Sequence, residues 1–277
     1  MTIKLVAVDM DGTLLTEDKK ITERTRRAVR AATEQGLSVA LSTGRTLPEC
    51  ADVRAFLPEV RYAVTSNGAR VWDMWENRVL TEHCLTPECS RALAERLIGF
   101  KGMLAAFSGG KISFQKEWEG QLSQVLVPVM VAHAERFYTP EPRYMEYAAG
   151  LHGAVEKFFC VFVSTQERDR AWDAIRDVDC EIVTSDVDNL ELTAAGVNKG
   201  TGLSGLAAAL GLSREEVMAI GDSGNDRTML QYAGLPAAMG NAEPSIKALA
   251  KTVLPSNEED GVAWALERLA EHAGRWN

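Results

Sequence analysis

Short apolar runs alternate with amphipathic segments at both ends of this chain, and the pattern changes in its middle. Ile3 to Val8 is an apolar-rich run of strand length that delivers Asp9 and Asp11 into a turn at Gly12. Ile21 to Gln35 reads as a helix, with Thr22 as N-cap, a small-residue face of Ala28, Val29, Ala31 and Ala32, and Gly36 as a stop. Leu37 to Ser42 then reads as a buried strand ending in Thr43-Gly44-Arg45. This strand-helix-strand order implies a parallel pair with a right-handed crossover. A short helix around Pro48 to Leu57 follows, then a strand over Tyr62 to Thr65, the turn Ser66-Asn67-Gly68, and a hairpin from Val71 to Glu82 about Glu76-Asn77.

The middle has a different texture. Thr86-Pro87 opens a helix that carries Leu93 and Leu97 inward. Strands are expected at Met103 to Phe107 and Ile112 to Phe114, a less regular stretch runs to Ala149, and Phe158 to Val163 is a strong strand. Thr165 is expected to cap a helix through Ile175, ahead of a strand at Glu181 to Thr184. From Asn189 the alternation returns. Leu190 to Thr193 reads as a strand, Lys199 opens a helix through Leu210, and Ser213-Arg214-Glu215-Glu216 has the spacing of a capping box. The buried strand Val217 to Ile220 ends in Gly221-Asp222-Ser223-Gly224-Asn225-Asp226, and the pattern closes with Leu235 to Met239, Ser245 to Ala250, Thr252 to Leu254 and Gly261 to Leu269. The fold class is therefore α/β, a doubly wound and mainly parallel sheet built from 1–83 and 188–277, with an α/β domain inserted over 84–187.

At 277 residues, with 46% hydrophobic and 25% charged residues, the composition is that of an ordinary globular protein. The net charge of −9 speaks against extended nucleic-acid binding, which needs a basic face. Five cysteines without Cys-x-x-Cys spacing read as reduced packing residues of a cytoplasmic protein. No secretory leader is expected, because Ile3 to Val8 is short and runs directly into charged residues. No membrane span is expected either, since the longest apolar stretch, Val125 to Ala132, is broken by Pro128. On oligomeric state the sequence is silent, and both a monomer and a dimer fit.

The chemistry gathers at strand ends. Residues two apart on an extended segment point to the same side, so Asp9 and Asp11 are expected to face one site. Two close carboxylates resist ionising together without a cation, which points to a divalent metal. Thr43 would leave its strand at the same sheet edge, where its hydroxyl and the neighbouring amides of Gly44 and Arg45 can donate to a phosphate.

The block DMDGTLL, Thr43 after its strand, Lys199 and the GDSGND segment, in that order, resemble the four motifs of the haloacid dehalogenase superfamily. The Asn67-Gly68 turn and the stretches GNAEPSIKALA and SNEEDGVAWAL resemble its Cof-type branch. The resemblance implies a Mg²⁺-dependent phosphatase acting on small phosphorylated metabolites such as sugar phosphates or pyridoxal phosphate, with the inserted domain as a cap. It further implies Asp9 as nucleophile and Asp11 as proton donor and acceptor. Asp9, Asp222 and the backbone carbonyl of Asp11 would be Mg²⁺ ligands; Thr43, Gly44, Arg45, Asn67, Lys199 and Asn225 would contact substrate. Asp226 would orient Lys199 or a metal-bound water. A phosphomutase of the same fold stays open.

Two other readings compete. Gly200-Thr201-Gly202-Leu203-Ser204-Gly205 fits the dinucleotide-binding fingerprint, and Asp222 follows at about the right distance for a ribose-binding acid. A true fingerprint follows its strand immediately, whereas Ala194 to Lys199 intervenes here. A non-catalytic phosphorylated switch needs acids and a lysine, but not a second acid placed as Asp11 is.

Overall fold

The tetrapeptide Leu5–Val8 is wholly buried and forms a central strand. The computed structural model describes residues 2–276. It separates the chain into Met1–Glu82 with Asn198–Asn277, and His83–Val197.

The first unit begins with β1 (Leu5–Val8), α1 (Glu23–Glu34), β2 (Ser38–Ser42), α2 (Ala51–Phe56), β3 (Tyr62–Thr65), β4 (Arg70–Asp73) and β5 (Arg78–Glu82). The second contains α3 (Pro87–Leu97), β6 (Gly102–Ser108), β7 (Lys111–Gln115), α4 (Pro128–Phe137), β8 (Tyr138–Glu141), α5 (Tyr144–Ala148), β9 (Val155–Phe162), α6 (Thr165–Ile175), β10 (Cys180–Val183) and β11 (Asn189–Ala194). The first unit resumes with α7 (Lys199–Ala209), β12 (Val217–Gly221), α8 (Arg227–Tyr232), β13 (Leu235–Ala238), α9 (Pro244–Lys247), β14 (Thr252–Val253) and α10 (Gly261–Glu271).

Its sheet has the order β14-β13-β12-β1-β2-β3-β4-β5, parallel from β14 to β3 and antiparallel through the β4–β5 hairpin. The chain leaves β1 to β2 on one side and later returns as β12 on the other, so β1 borders the switch point at which such sheets bind ligands. Registers Val8↔Leu41 and Val8↔Ile220 bring the carboxyl ends of β2, β1 and β12 level. The reason these strands are central is their burial on both faces: every residue of β1, β3 and β12 is buried. Helix α1 starts where the Thr22 hydroxyl accepts from the Thr25 amide, and buries Ala28, Val29 and Ala32.

The second unit is a six-stranded sheet, β10-β11-β9-β6-β7-β8. Leu93 and Leu97 of α3 pack with Phe158, Leu190 and Leu192. Three expectations need correction here. The strand read as the start of the resumed core is β11, which pairs antiparallel with β9 and β10; the border therefore lies at 197/198 and not 187/188. A strand's own periodicity reports which of its faces are buried, not which sheet it joins. The stretch read as irregular up to Ala149 holds α4, β8 and α5. The cap of α6 is Ser164, whose hydroxyl accepts from the Glu167 amide, and Thr165 is the first helical residue.

All five cysteines are free thiols. Burial pushes the Cys50 thiol up to about 12 and raises Cys160 as well, so both are inert packing residues. Among the described residues no helix is long and apolar enough to cross a membrane.

Candidate active site

A buried lysine organises the carboxyl edge of the first sheet. Lys199 is 1% exposed, and its ammonium donates to Asp9 Oδ1 at 2.6 Å, Asp226 Oδ1 at 2.7 Å and Asn225 Oδ1 at 3.1 Å. Asp9 follows β1, while Asp222, Asn225 and Asp226 follow β12. Asp226 is fully buried; its second oxygen accepts from the amides of Asp222 at 2.9 Å and Ser223 at 3.1 Å, which folds the loop after β12 around it. The Asn225 carbonyl is taken by Lys199 and by the Ser223 hydroxyl, leaving its amide nitrogen to donate. Asp222, half-buried, accepts from the Thr13 hydroxyl at 2.6 Å.

Close packing sets Lys199 in place. It is the first residue of α7, whose N-cap Asn198 accepts from Thr201. A Cβ on Gly200 would lie 2.5 Å from the Thr228 carbonyl, and one on Gly202 would lie 2.6 Å from Val64 Cγ1 and 2.7 Å from Gly68 Cα. These glycines let the helix approach β3 and α8. The GTGLSG pattern is thus an interior helix contact, which removes the basis of the dinucleotide reading. Gly68, at φ +100, in turn lies against the Asn198 carbonyl.

The two acids of the DMDGTLL block go separate ways. The regular strand ends at Val8, and the two carboxylates take different partners: Asp9 pairs with Lys199, whereas Asp11 lies in the turn and pairs with Arg45 (2.7 and 2.9 Å) and Lys19 (2.9 Å). Gly12, at φ +84, makes the turn, and a Cβ there would meet Asp222 Oδ2 at 2.5 Å. The Thr43 hydroxyl accepts from the Arg45 amide at 3.1 Å, so that amide is turned onto Thr43 and not outward. Asn67 is 2% exposed, and its amide donates to the Thr43 carbonyl at 3.1 Å. Ser66 and Asn67 are consecutive non-glycine residues in the left-handed region, φ 49 and 53. Strain of this kind, of order 1–3 kcal/mol per residue, tends to gather at functional sites.

The electrostatics follow from the count of charges. Burial by itself lowers the Lys199 pKa, but Asp226 and Asp9 outweigh it and hold the ammonium well above its ordinary value. Three carboxylates face this one cation, so Asp9 and Asp222 are left in excess. Burial, then the charge of Asp226, raises Asp9 well above the usual carboxylate range despite Lys199. Burial likewise pushes Asp222 up to about 6, against the Thr13 hydrogen bond. Asp11 goes the opposite way: burial would raise it, but Arg45 and Lys19 hold it well below the usual range.

Asp9, Asp222 and Asp226 present carboxylate oxygens within 4.8 Å of one another. An all-oxygen donor set with excess negative charge suits a hard divalent cation such as Mg²⁺. Asp226 is committed to Lys199 and two amides, so Asp9 and Asp222 are the members with capacity for it. The Asp11 carboxylate is outside this group.

Residues that sequence reasoning passed over include Thr13, Lys19 and Ser66. Thr13 lies within the DMDGTLL block, which could have marked it, whereas Lys19 sits in a charged surface run and carries no local signal.

The geometry can be set beside known proteins. A family model of haloacid dehalogenase-like hydrolases matches residues 6–266. The chain is 30% identical over 265 residues to the 5-amino-6-(5-phospho-D-ribitylamino)uracil phosphatase YcsE of Bacillus subtilis, covering 95% of this chain and 94% of that one. It is 29% identical over 256 residues to the HMP-PP phosphatase of Klebsiella pneumoniae, covering 88% and 87%. A haloacid dehalogenase-like hydrolase from Bacteroides thetaiotaomicron superposes with a TM-score of 0.81 at 26% identity, over 96% of this chain and 99% of that one. A match along nearly the whole chain, with the carboxylates and Lys199 gathered at the switch point of the sheet, leads to one assignment: this chain belongs to the haloacid dehalogenase-like hydrolase family.

Proposed function

We propose that the protein is a Mg²⁺-dependent phosphatase of small phosphorylated metabolites that works through a phosphorylated Asp9. The observation that carries this reading is the buried Lys199 ammonium shared between Asp9 and Asp226, with Asp222 beside them. A phosphomonoester dianion repels an anionic nucleophile, so such a site must supply fixed positive charge and geometry. Lys199 supplies one charge and aims Asp9. Asp9 and Asp222 would hold Mg²⁺, together with the backbone carbonyl of Asp11 that the family resemblance implies. The ion would offset charge on the phosphoryl oxygens.

Asp9 attacks phosphorus as the bond to the leaving oxygen breaks, and Asp11 gives that oxygen its proton. Water then attacks the phosphorus of the aspartyl phosphate, its proton passes to Asp11, and Asp9 is regenerated with release of inorganic phosphate. Asp11 is held ionised by Arg45 and Lys19, so the arriving phosphoryl group competes for Arg45 and frees Asp11 to take up its proton. The Asn225 amide and Thr43, with Gly44 and Arg45 next to it in sequence and Asn67 bonded to its carbonyl, would complete the substrate contacts. The second unit, His83–Val197, is proposed as the cap that selects the leaving group. Relatives named for a ribitylaminouracil phosphate and for HMP-PP support a small phosphorylated metabolite as the substrate class.

Release of inorganic phosphate from a panel of such compounds, with and without Mg²⁺, tests the reading. Asp9→Asn is expected to stay folded and lose essentially all turnover; near-normal activity in that variant would remove Asp9 as the nucleophile.

A further inference from the structure

We propose that Asn241 and Asn257, with Asp260, are positioning residues that strap the loop carrying Asp11 into its working place; the inference rests on the phosphatase reading of the site. They belong to the GNAEPSIKALA and SNEEDGVAWAL stretches, which lie more than 200 residues away in sequence and supply no group to the cluster around Lys199. The asparagine side chains act on the backbone of the segment between β1 and α1, and Asp260 acts on threonine hydroxyls at the start of α1. Asn241 Nδ2 donates to the Gly12 carbonyl at 2.8 Å, next in sequence to Asp11. Asn257 Nδ2 donates to the Leu15 carbonyl at 3.0 Å, and its own amide donates to Asn241 Oδ1 at 3.1 Å, so the two asparagines brace each other. Asp260 accepts from the hydroxyls of Thr22 and Thr25, which fixes the loop where it enters α1. Glu258 accepts from the Glu17 amide at 2.7 Å. The same strap reaches the metal-side acid, since the Glu243 amide donates to the Asp222 carbonyl at 3.1 Å.

The strap matters because of what does not hold Asp11. Its carboxylate is 42% exposed, and its two partners, Arg45 and Lys19, are long flexible side chains. A general acid has to stay within hydrogen-bond reach of the leaving oxygen, and displacements of about 1 Å can cost about 100-fold in rate. Met10, Leu14 and Leu15 pack into the core on either side, but Asp11 and Gly12 between them are only half-buried, so at those two positions hydrogen bonds to the backbone must add to packing. The anchors at the Gly12 and Leu15 carbonyls tie that backbone near its beginning and middle, and the one at the Thr22 hydroxyl holds its end. Asp260 itself adopts φ 59, a conformation an aspartate tolerates better than most residues.

Two measurements on Asn257→Leu and Asn241→Ala test the proposal, the second variant serving if the first folds poorly. Hydrogen exchange of the amides from Thr13 to Lys20 is expected to quicken about tenfold, as expected for a local opening that loses a hydrogen bond. Because the loop carries the proton donor, the single-turnover rate of Asp9 phosphorylation by a hexose 6-phosphate should fall about 10- to 100-fold, while that by 4-nitrophenyl phosphate, whose leaving group needs no proton, should fall less than about threefold; the later hydrolysis, in which Asp11 takes the proton of water, slows equally for both. A role in stability alone would lower both rates together and leave their ratio unchanged. Unchanged exchange would overturn the strap, and faster exchange with an unchanged ratio would overturn its positioning role. If the parent protein releases phosphate from neither ester, the phosphatase reading itself falls, and exchange alone decides whether the loop is strapped.

Discussion

Two glycines of the GTGLSG stretch, Gly202 and Gly205, should respond to alanine with opposite signs, and the structure fixes which is which. At Gly205 an added Cβ would sit 3.5 Å from Thr81, an ordinary contact, in the body of α7. Replacing a helical glycine by alanine then recovers about 0.5–1 kcal/mol of backbone entropy. For a unit of this size that corresponds to a rise of about 2–3 °C in Tm. At Gly202 the new Cβ would lie 2.6 Å from Val64 Cγ1 and 2.7 Å from Gly68 Cα. The valine methyl can turn aside, but the Gly68 backbone cannot. Overpacking of this kind costs about 1–3 kcal/mol, only partly offset by the helix preference for alanine, so the net loss is about 1–2 kcal/mol and Tm should fall about 3–6 °C. The displaced end of the helix carries Lys199, so Gly202→Ala should also lower kcat about tenfold while Gly205→Ala leaves it within about twofold. Thermal melts and phosphate-release kinetics on the two variants check both effects. If Gly205→Ala proves as damaging as Gly202→Ala, close packing is not what these glycines provide.

Thr13→Val removes the hydroxyl that donates to Asp222 at 2.6 Å; titrating activity with Mg²⁺ should show the half-activating concentration raised about tenfold, the usual scale for a lost partner of a metal-binding carboxylate. Asp73→Asn should cost about 1–2 kcal/mol at neutral pH, the lower part of the range for a charged hydrogen bond because Arg61 is partly exposed. The Arg61 hydrogen bond holds the Asp73 carboxyl below its ordinary value of 3.8, so its stabilisation is complete above that value and is lost as pH falls through the lowered one. Urea midpoints of parent and variant should accordingly differ most near neutral pH and converge in acid.

Much of the first unit could be read from its sequence because the deciding forces there are local. The apolar run before Asp9, the Thr22 cap and Gly36 stop of α1, the hairpin about Asn77 and the start of α7 at Lys199 each combine a periodicity with a cap or turn residue. Each lies where that combination places it. The order of the acids, Thr43 and Lys199 along the chain, read against a known pattern, pointed to the family. Tertiary structure decided what such patterns leave open, because periodicity reports that a face is buried and not what buries it. It assigned β11 to the second sheet, where Glu191 accepts from Lys157 at 2.6 Å, and drew α4, β8 and α5 from a stretch with no clear period. It gave Asp9 and Asp11 different cationic partners, Lys199 for the one and Arg45 with Lys19 for the other, which the strand pattern ending at Val8 does not encode. It also brought together groups about 190 residues apart in Lys199 and Asp9, and about 240 in Asn257 and Leu15. No local propensity encodes those meetings; they exist only because the sheet sets the carboxyl ends of β1, β2 and β12 side by side.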